Sequence, residues 1–546
     1  MRRRWAWTVL LLQLGCAGPG PVLFPAAPIE TRDGGAQRFY DTDSDGRADF
    51  AMILGTDGRV DRLQYEIDDD ALDTSDGSDV VLLDRMAPTD RRHLVIILDS
   101  VPYAMVNDLW RQGRFRLFHP PRRVISPFPV MTDLSLSELF GTSPSPGVES
   151  EYYDGHQLIN GYFSYAGGRN TGWLRYVDYH LKPVAHSGAY TDPHVWFDHE
   201  LRHIQDMFQR QSGNCFVGYC VGPSAVGAKF GRDGHQAGLI RMDRFCQQMF
   251  YATRGKIHIT LLSDHGHNLM RSRRIPLSEF LRLSGYRVTN RLERPGDVVV
   301  PEFGIVTCAA IHTQEPAPVA RDVLGLEGID VVAYLDRGRG RPGSPDEDAK
   351  NGRPGSIGRE GGGRTDSQDD RIIVLNRSGR AVITRSGTGY RYETLPLLPL
   401  PARERAGVRV SDISAGDPLD LGPVLKQLQA QGHVDADGFV DDRALFEATV
   451  DGAYPDAVHR LWRAFHGLVE HEPDVFITTK DGWHCGSPFM TDVLDLAAAH
   501  GNLGPLSTTG FVMSTAGAVE PVLRMEDLHD SLTKLGIPLP GGTEKK

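Results

Sequence analysis

Two short runs of the chain are apolar and β-branched, and both break off into an acid. Leu94–Leu98 (LVIIL) ends in Asp99, and Ile257–Leu262 (IHITLL) ends in Ser263, Asp264, His265, Gly266 and His267. A run this short, with no polar alternation, predicts a strand buried on both faces. Cys215–Val221, Ile305–Ile311, Asp330–Leu335, Val475–Thr478 and Gly510–Ser514 read the same way, and helical patterns such as 234–253 lie between several of them. The alternation predicts an α/β sandwich with a mostly parallel central sheet between helices. Open sheets of that kind bind ligands at the carboxyl ends of their strands. Asp99 and the Asp264-His265 pair are therefore candidate metal ligands, with a polar strand cap as the plain alternative.

The rest of the chain divides by pattern. Residues 17–37 are rich in Pro, Gly and Ala and read as a tether. Residues 38–90 read as a small acidic β module, in which Asp41, Asp43, Asp45, Gly46 and Asp49 follow D-x-D-x-D-G-x-x-D. Alternate carboxylates converge on a hard cation and the glycine allows the sharp turn, so a structural Ca²⁺ is expected at Asp41–Asp49. Met52 stands where an EF-hand has its closing Glu. Two strands are expected after the loop, around a Thr56-Asp57-Gly58 turn. The main domain is placed at 91–520, with a low-complexity insertion at 337–370 expected to be disordered, and a tail at 521–546.

The first residues add an address. Arg2, Arg3 and Arg4 precede an apolar run, Trp5–Leu14, too short to span a bilayer, which predicts a secretory signal over 1–16. Leu14-Gly15-Cys16 resembles the lipobox of bacterial lipoproteins, with Gln13 as a departure. That resemblance implies lipidation at Cys16 and a place in the cell envelope, lipid-anchored or periplasmic to extracellular, with membrane contact through the anchor alone.

Composition narrows the class. The chain is 40% apolar and 24% charged, as a soluble globular protein is, and its net charge of −12 excludes a role in coating nucleic acid. The five later cysteines (Cys215, Cys220, Cys246, Cys308 and Cys485) are odd in number and scattered, so they form no disulfide framework, although one bridge stays open.

Two further stretches carry candidate chemistry. In "FPVMTDLSLSELFGTSPSPG", Thr132 follows a proline bend and precedes a helical pattern, where a hydroxyl meets unpaired N–H groups suited to an anion. In "AAAHGNLGPLSTTGFV", His500 precedes a glycine-rich turn. The order of strand-Asp at Asp99, F-P-x-x-T at Phe128–Thr132, S-D-H-G at Ser263–Gly266 and H-G-x-L at His500–Leu503 resembles the alkaline phosphatase superfamily, in its type I phosphodiesterase and nucleotide pyrophosphatase branch. The resemblance spans 94 to about 515. It implies an alkaline-phosphatase-like sandwich, a first zinc held by Asp99, Thr132, Asp264 and His265, and Thr132 as the metal-activated nucleophile. The resemblance assigns His500 to a second zinc.

The second zinc's other ligands are missing. Aligned on Gly231, the family's Asp and His positions carry Ser224 and Ala228. One imidazole alone holds zinc poorly. Asp233 or His235 would have to take over. Two readings stay open: an exported metal-dependent hydrolase of anionic small-molecule phosphoesters or sulfate esters with a degraded second site, or a single-metal, non-catalytic relative that binds anionic ligands or acts as a scaffold. Metal stoichiometry discriminates: two ions favour the enzyme, one or none the binder. His186, His194, His199 and His203 form a dense stretch that reads as a substrate wall or as the solvent-facing side of a helix.

Overall fold

The computed structural model describes residues 23–66, 79–161, 171–180, 189–190, 192–337, 370–396, 416–493 and 496–542. The signal segment with Cys16, the body of the 337–370 insertion and His186 lie outside the described residues.

Arg92–Leu98 and Ile257–Ser263 lie side by side and parallel, with Ser263 opposite Leu98. Cys215–Cys220 flanks them on the other side, also in parallel, with Cys220 opposite Leu98. The three strands therefore end level, and Asp99 and Asp264 leave the sheet together. The full sheet has six strands in the order Cys215–Cys220, Arg92–Leu98, Ile257–Ser263, Thr509–Ser514, Arg122–Ile125, Val522–Arg524. Only Thr509–Ser514 runs against the rest.

The strands are apolar throughout because both faces are covered. Leu94, Ile96 and Leu98 pack with Met105, Val106, Phe197, Leu201 and Met242 from helices Tyr103–Arg111, Pro193–Arg210 and Gly222–Thr253. Val95 and Ile97 pack with Leu136, Leu139, Leu528 and Leu532 from helices Thr132–Phe140 and Met525–Lys534. Each aliphatic chain so buried contributes about 1.5–3 kcal/mol.

Several expectations need correction. Ile305–Val306 sits in a separate three-stranded sheet, while residues 308–311 of the same run and the runs at 330–335 and 475–478 belong to a second, nine-stranded and mainly antiparallel sheet, not to the parallel one. Its two faces are also both buried, one against Trp462, Leu461 and Phe465, the other against Val319, Val323 and Leu281. Double burial erases the polar alternation that marks an antiparallel strand, so its sequence reads like a parallel one.

The supposed tether is partly built into the fold. Phe24 is fully buried against Tyr40 and Phe50, and Glu30–Arg32 opens the five-stranded N-terminal sheet. That sheet shares one core with the main domain through Tyr251, whose ring meets Phe24, Phe50 and Tyr65. The supposed tail supplies the edge strand Val522–Arg524 and helix Met525–Lys534, so 521–542 is structural. Its Arg524 lies between Asp442 and Asp456. Among the described residues no helix is long and apolar enough to cross a membrane. Five cysteines are free thiols, leaving the one-bridge option without support.

Candidate metal centre

Ligand atoms of Asp99, Asp264 and His265 lie within 4.8 Å of one another, and all three residues are buried. Strand register brings the two acids together, and Ser100 locks them. It adopts a left-handed φ of 56°, donates its N–H to Asp264 Oδ1 at 3.0 Å, and donates its hydroxyl to Asp99 Oδ1 at 2.5 Å. A non-glycine residue in that region is strained and persists where the surroundings overdetermine it. Asp264 Oδ1 also accepts the His265 N–H, at 2.9 Å. Asp264 Oδ2 is buried without a hydrogen-bond partner.

His265 directs its Nδ1 to the Gly266 carbonyl at 3.0 Å, which places the ring proton there and a lone pair on Nε2. Nε2 lies 3.3 Å from Thr132 Oγ1. Thr132 is the first residue of helix Thr132–Phe140, at its positive end. His500 repeats the pattern, with Nδ1 2.8 Å from the Val130 carbonyl. Burial holds His265 down at about 4 and His500 at about 3, so both rings are neutral at pH 7. Burial, with Asp264 alongside, pushes the Asp99 carboxyl well up, and burial raises Asp264 too. Two acids that resist ionisation in dry surroundings ionise readily beside a cation.

Ser224 and Ala228 are buried at the start of helix Gly222–Thr253. Ala228 and His500 line the same cavity, about 770 Å³ in volume, as do Asp99 and Thr132. The helix breaks at Gly231, where φ is 69°, and its second leg folds back. Of the two substitute ligands considered, Asp233 is exposed, while His235 is fully buried and 3.0 Å from Nδ1 of His267. His235 is thus turned toward another imidazole rather than toward the Asp99 cluster.

Other expected residues sort out by position. In the acidic loop Asp41, Asp43 and Asp49 converge within 4.8 Å, but Asp45 stands outside that group and accepts the Arg47 N–H. Asp41 takes three backbone N–H groups, from Ser44, Asp45 and Gly46. Of the histidine stretch, His203 lines the cavity and is 2.8 Å from Asp178, while exposed His194 stacks on Phe230.

Three cavity residues were not singled out as site residues from sequence. Tyr219, near the end of Cys215–Cys220, donates its hydroxyl to Thr132 Oγ1 at 3.5 Å. Trp173 forms one wall and bonds Asp133. His267, visible in the sequence two residues after His265, had no partner there to give it a role.

No family model matches the chain, and no curated protein matches it. Among solved structures it is similar to human ectonucleotide pyrophosphatase/phosphodiesterase 5, at 11% identity and a TM-score of 0.42, covering 83% of this chain and 97% of that one. The murine counterpart gives 11% and 0.40 over the same shares. An inactive murine form in complex with AMP gives 10% and 0.42, again over 83% and 97%. At these TM-scores the likenesses decide nothing about activity.

Proposed function

We propose that the chain is an exported phosphoester hydrolase of the alkaline-phosphatase-like kind, holding one zinc ion at Asp99, Asp264 and His265 and using Thr132 as its nucleophile. One arrangement carries this reading: two buried carboxylates and an imidazole within 4.8 Å, with Asp264 Oδ2 making no hydrogen bond and lying 3.4 Å from His265 Nε2. Adjacent buried carboxylates are costly without a cation, and an oxygen and imidazole donor set suits Zn²⁺. When bound there, the metal would lower the hydroxyl pKa of Thr132 and offset phosphoryl charge.

The chain's own groups do the rest. Thr132 Oγ1 forms a bond to phosphorus and loses its proton to solvent. The ester P–O bond breaks, and the leaving alkoxide takes a proton from solvent. Water then cleaves the phosphothreonine. First-turn N–H groups of helix Thr132–Phe140 face the anion. Trp173, Tyr179, Tyr190 and Phe303 line the cavity beside it and suit the organic part of a small anionic ester.

A second reading has its own observation. Ser224 and Ala228 offer no strong ligand opposite His500, which favours a single-metal relative that binds anionic ligands without fast turnover. The Asp41 loop would hold a structural Ca²⁺ through Asp41, Asp43 and Asp49. Cys16 would carry the lipid anchor in the cell envelope.

Metal analysis followed by a screen of phosphodiesters, phosphomonoesters and sulfate esters tests the proposal. One zinc per chain and hydrolysis abolished by Thr132→Ala are expected. Hydrolysis indifferent to Thr132→Ala would overturn it. One zinc with no hydrolysis would leave the binding reading.

A further inference from the structure

Three imidazoles stand in a row, and the second and third of them, His500 and His267, line the cavity. His265 stacks on His500 with ring centroids 4.3 Å apart, and His267 follows at 5.6 Å from His500. The first two spend their Nδ1 protons on backbone carbonyls and turn lone pairs outward, as metal ligands do. His267 is wired the other way. Its Nδ1 faces His235 Nε2 at 3.0 Å, and its ring lines the cavity.

That contact fixes which nitrogen of His267 carries the proton. Two buried imidazoles in contact hold one proton between them. If His267 donated it, His235 would carry its own N–H on Nδ1, which is buried with no acceptor among the described residues. A buried orphan N–H is rare, whereas an unmet acceptor costs less. His235 therefore donates, and His267 carries its N–H on Nε2, across the ring from His235.

The chain makes room for this pairing. A Cβ at Gly227 would lie 1.9 Å from Cδ2 of His235, and one at Gly234 would lie 2.4 Å from the Val226 carbonyl oxygen. Both glycines let the second leg of the kinked helix close onto the first and seat the His235 ring at Gly227, between Ser224 and Ala228 in sequence. An oriented hydrogen-bond pair thus stands against Gly227.

We infer that His267, oriented by His235, presents its Nε2–H to the phosphoryl oxygens of a substrate held at the Asp99-Asp264-His265 centre, in partial replacement of a second metal. His267 is a substrate-binding residue and His235 a positioning residue. The inference rests on the proposed function. A pre-aimed donor acts in a water-poor site without reorganising, which is how fixed N–H groups stabilise developing anions.

The test is calorimetric titration of the zinc-loaded full-length chain with inorganic phosphate, with zinc content measured on every variant. His267→Ala is expected to weaken phosphate about tenfold or more, the usual worth of a hydrogen bond to a charged group, with zinc content unchanged. His267→Gln, which keeps an N–H donor, should restore most of that loss. His235→Ala should weaken phosphate several-fold and His235→Gln should recover it, a rescue that a merely space-filling role would not give. Unchanged phosphate affinity in His267→Ala would overturn the inference while leaving the proposed function standing. Zinc lost on His267→Ala would overturn it by making His267 a metal ligand. A zinc-free unmodified chain that ignores phosphate would end both. Should the variants fail to fold, nitrogen NMR of the unmodified, histidine-labelled protein still decides: the Nε2–H tautomer of His267 is expected, and the Nδ1–H tautomer would refute it.

Discussion

The rings of His265 and His500 stack at 29° with centroids 4.3 Å apart, yet their Nδ1 atoms are tied to different loops, at Gly266 and Val130. Neutral rings with outward lone pairs are stable side by side, and both favour a cation in front of them.

The first prediction follows from the acids beside them. Asp99→Asn removes one of two adjacent buried carboxylates. Without metal, the variant should melt at or above the unmodified protein, since like-charge and desolvation costs are relieved. With zinc the order should reverse. Zinc affinity should fall by more than about tenfold, because even outer partners of a metal site are worth that much. Thermal melts with and without zinc check both signs, and a variant less stable in both states would count against a metal centre here.

The second concerns the proposed second metal position. Ser224→Asp combined with Ala228→His adds two donors on the helix whose Ala228 shares the cavity with His500. Zinc content should rise from one toward two per chain, and turnover of a phosphodiester should rise with it. Elemental analysis of the dialysed protein is the direct measure. Two zinc ions in the unmodified chain would show that other residues already supply the ligands.

The third concerns pH and the C-terminal segment. His459 is largely buried, which lowers its pKa, but hydrogen bonds with Asp442 and Glu526 prevail and raise it to about 9. Its Nε2 lies 3.1 Å from Glu526. A histidine raised in this way contributes stability that is complete below the unfolded value of about 6.5 and lost as pH rises through about 9. Glu526 is partly shielded from water, which opposes ionisation, yet its bond with His459 holds it down at about 2, so its contribution fades as pH falls from about 4.5 toward 2. His459→Gln should therefore lower the melting temperature clearly at pH 6 and hardly at pH 10. Equal effects at both would assign His459 a packing role only.

The fourth concerns the N-terminal sheet. Phe24 contacts Tyr40, Phe50 and Tyr251 edge-on or tilted and is fully buried. Phe24→Ala should cost about 3–5 kcal/mol locally and expose the segment before Phe50 to protease. An unchanged digestion pattern would mean that the sheet docks without it.

What the sequence determined on its own is the set of strand ends and their chemistry. A doubly buried strand must be apolar along its length, so an acid at its end is conspicuous, and Asp99 and Asp264-His265 were legible as a pair. Thr132 was legible from its bend and the helical pattern behind it. Tertiary structure alone decided three other things. It decided which apolar runs share a sheet, because burial on both faces removes the only local mark of strand direction. It decided that Phe24 and 521–542 belong to the core, because a single aromatic or a short amphipathic helix is buried only by partners far away in sequence, Tyr251 and Thr132–Phe140. And it decided the role of His267, because a ring's tautomer is set by the group opposite it, and His235 reaches that place only after the helix breaks at Gly231.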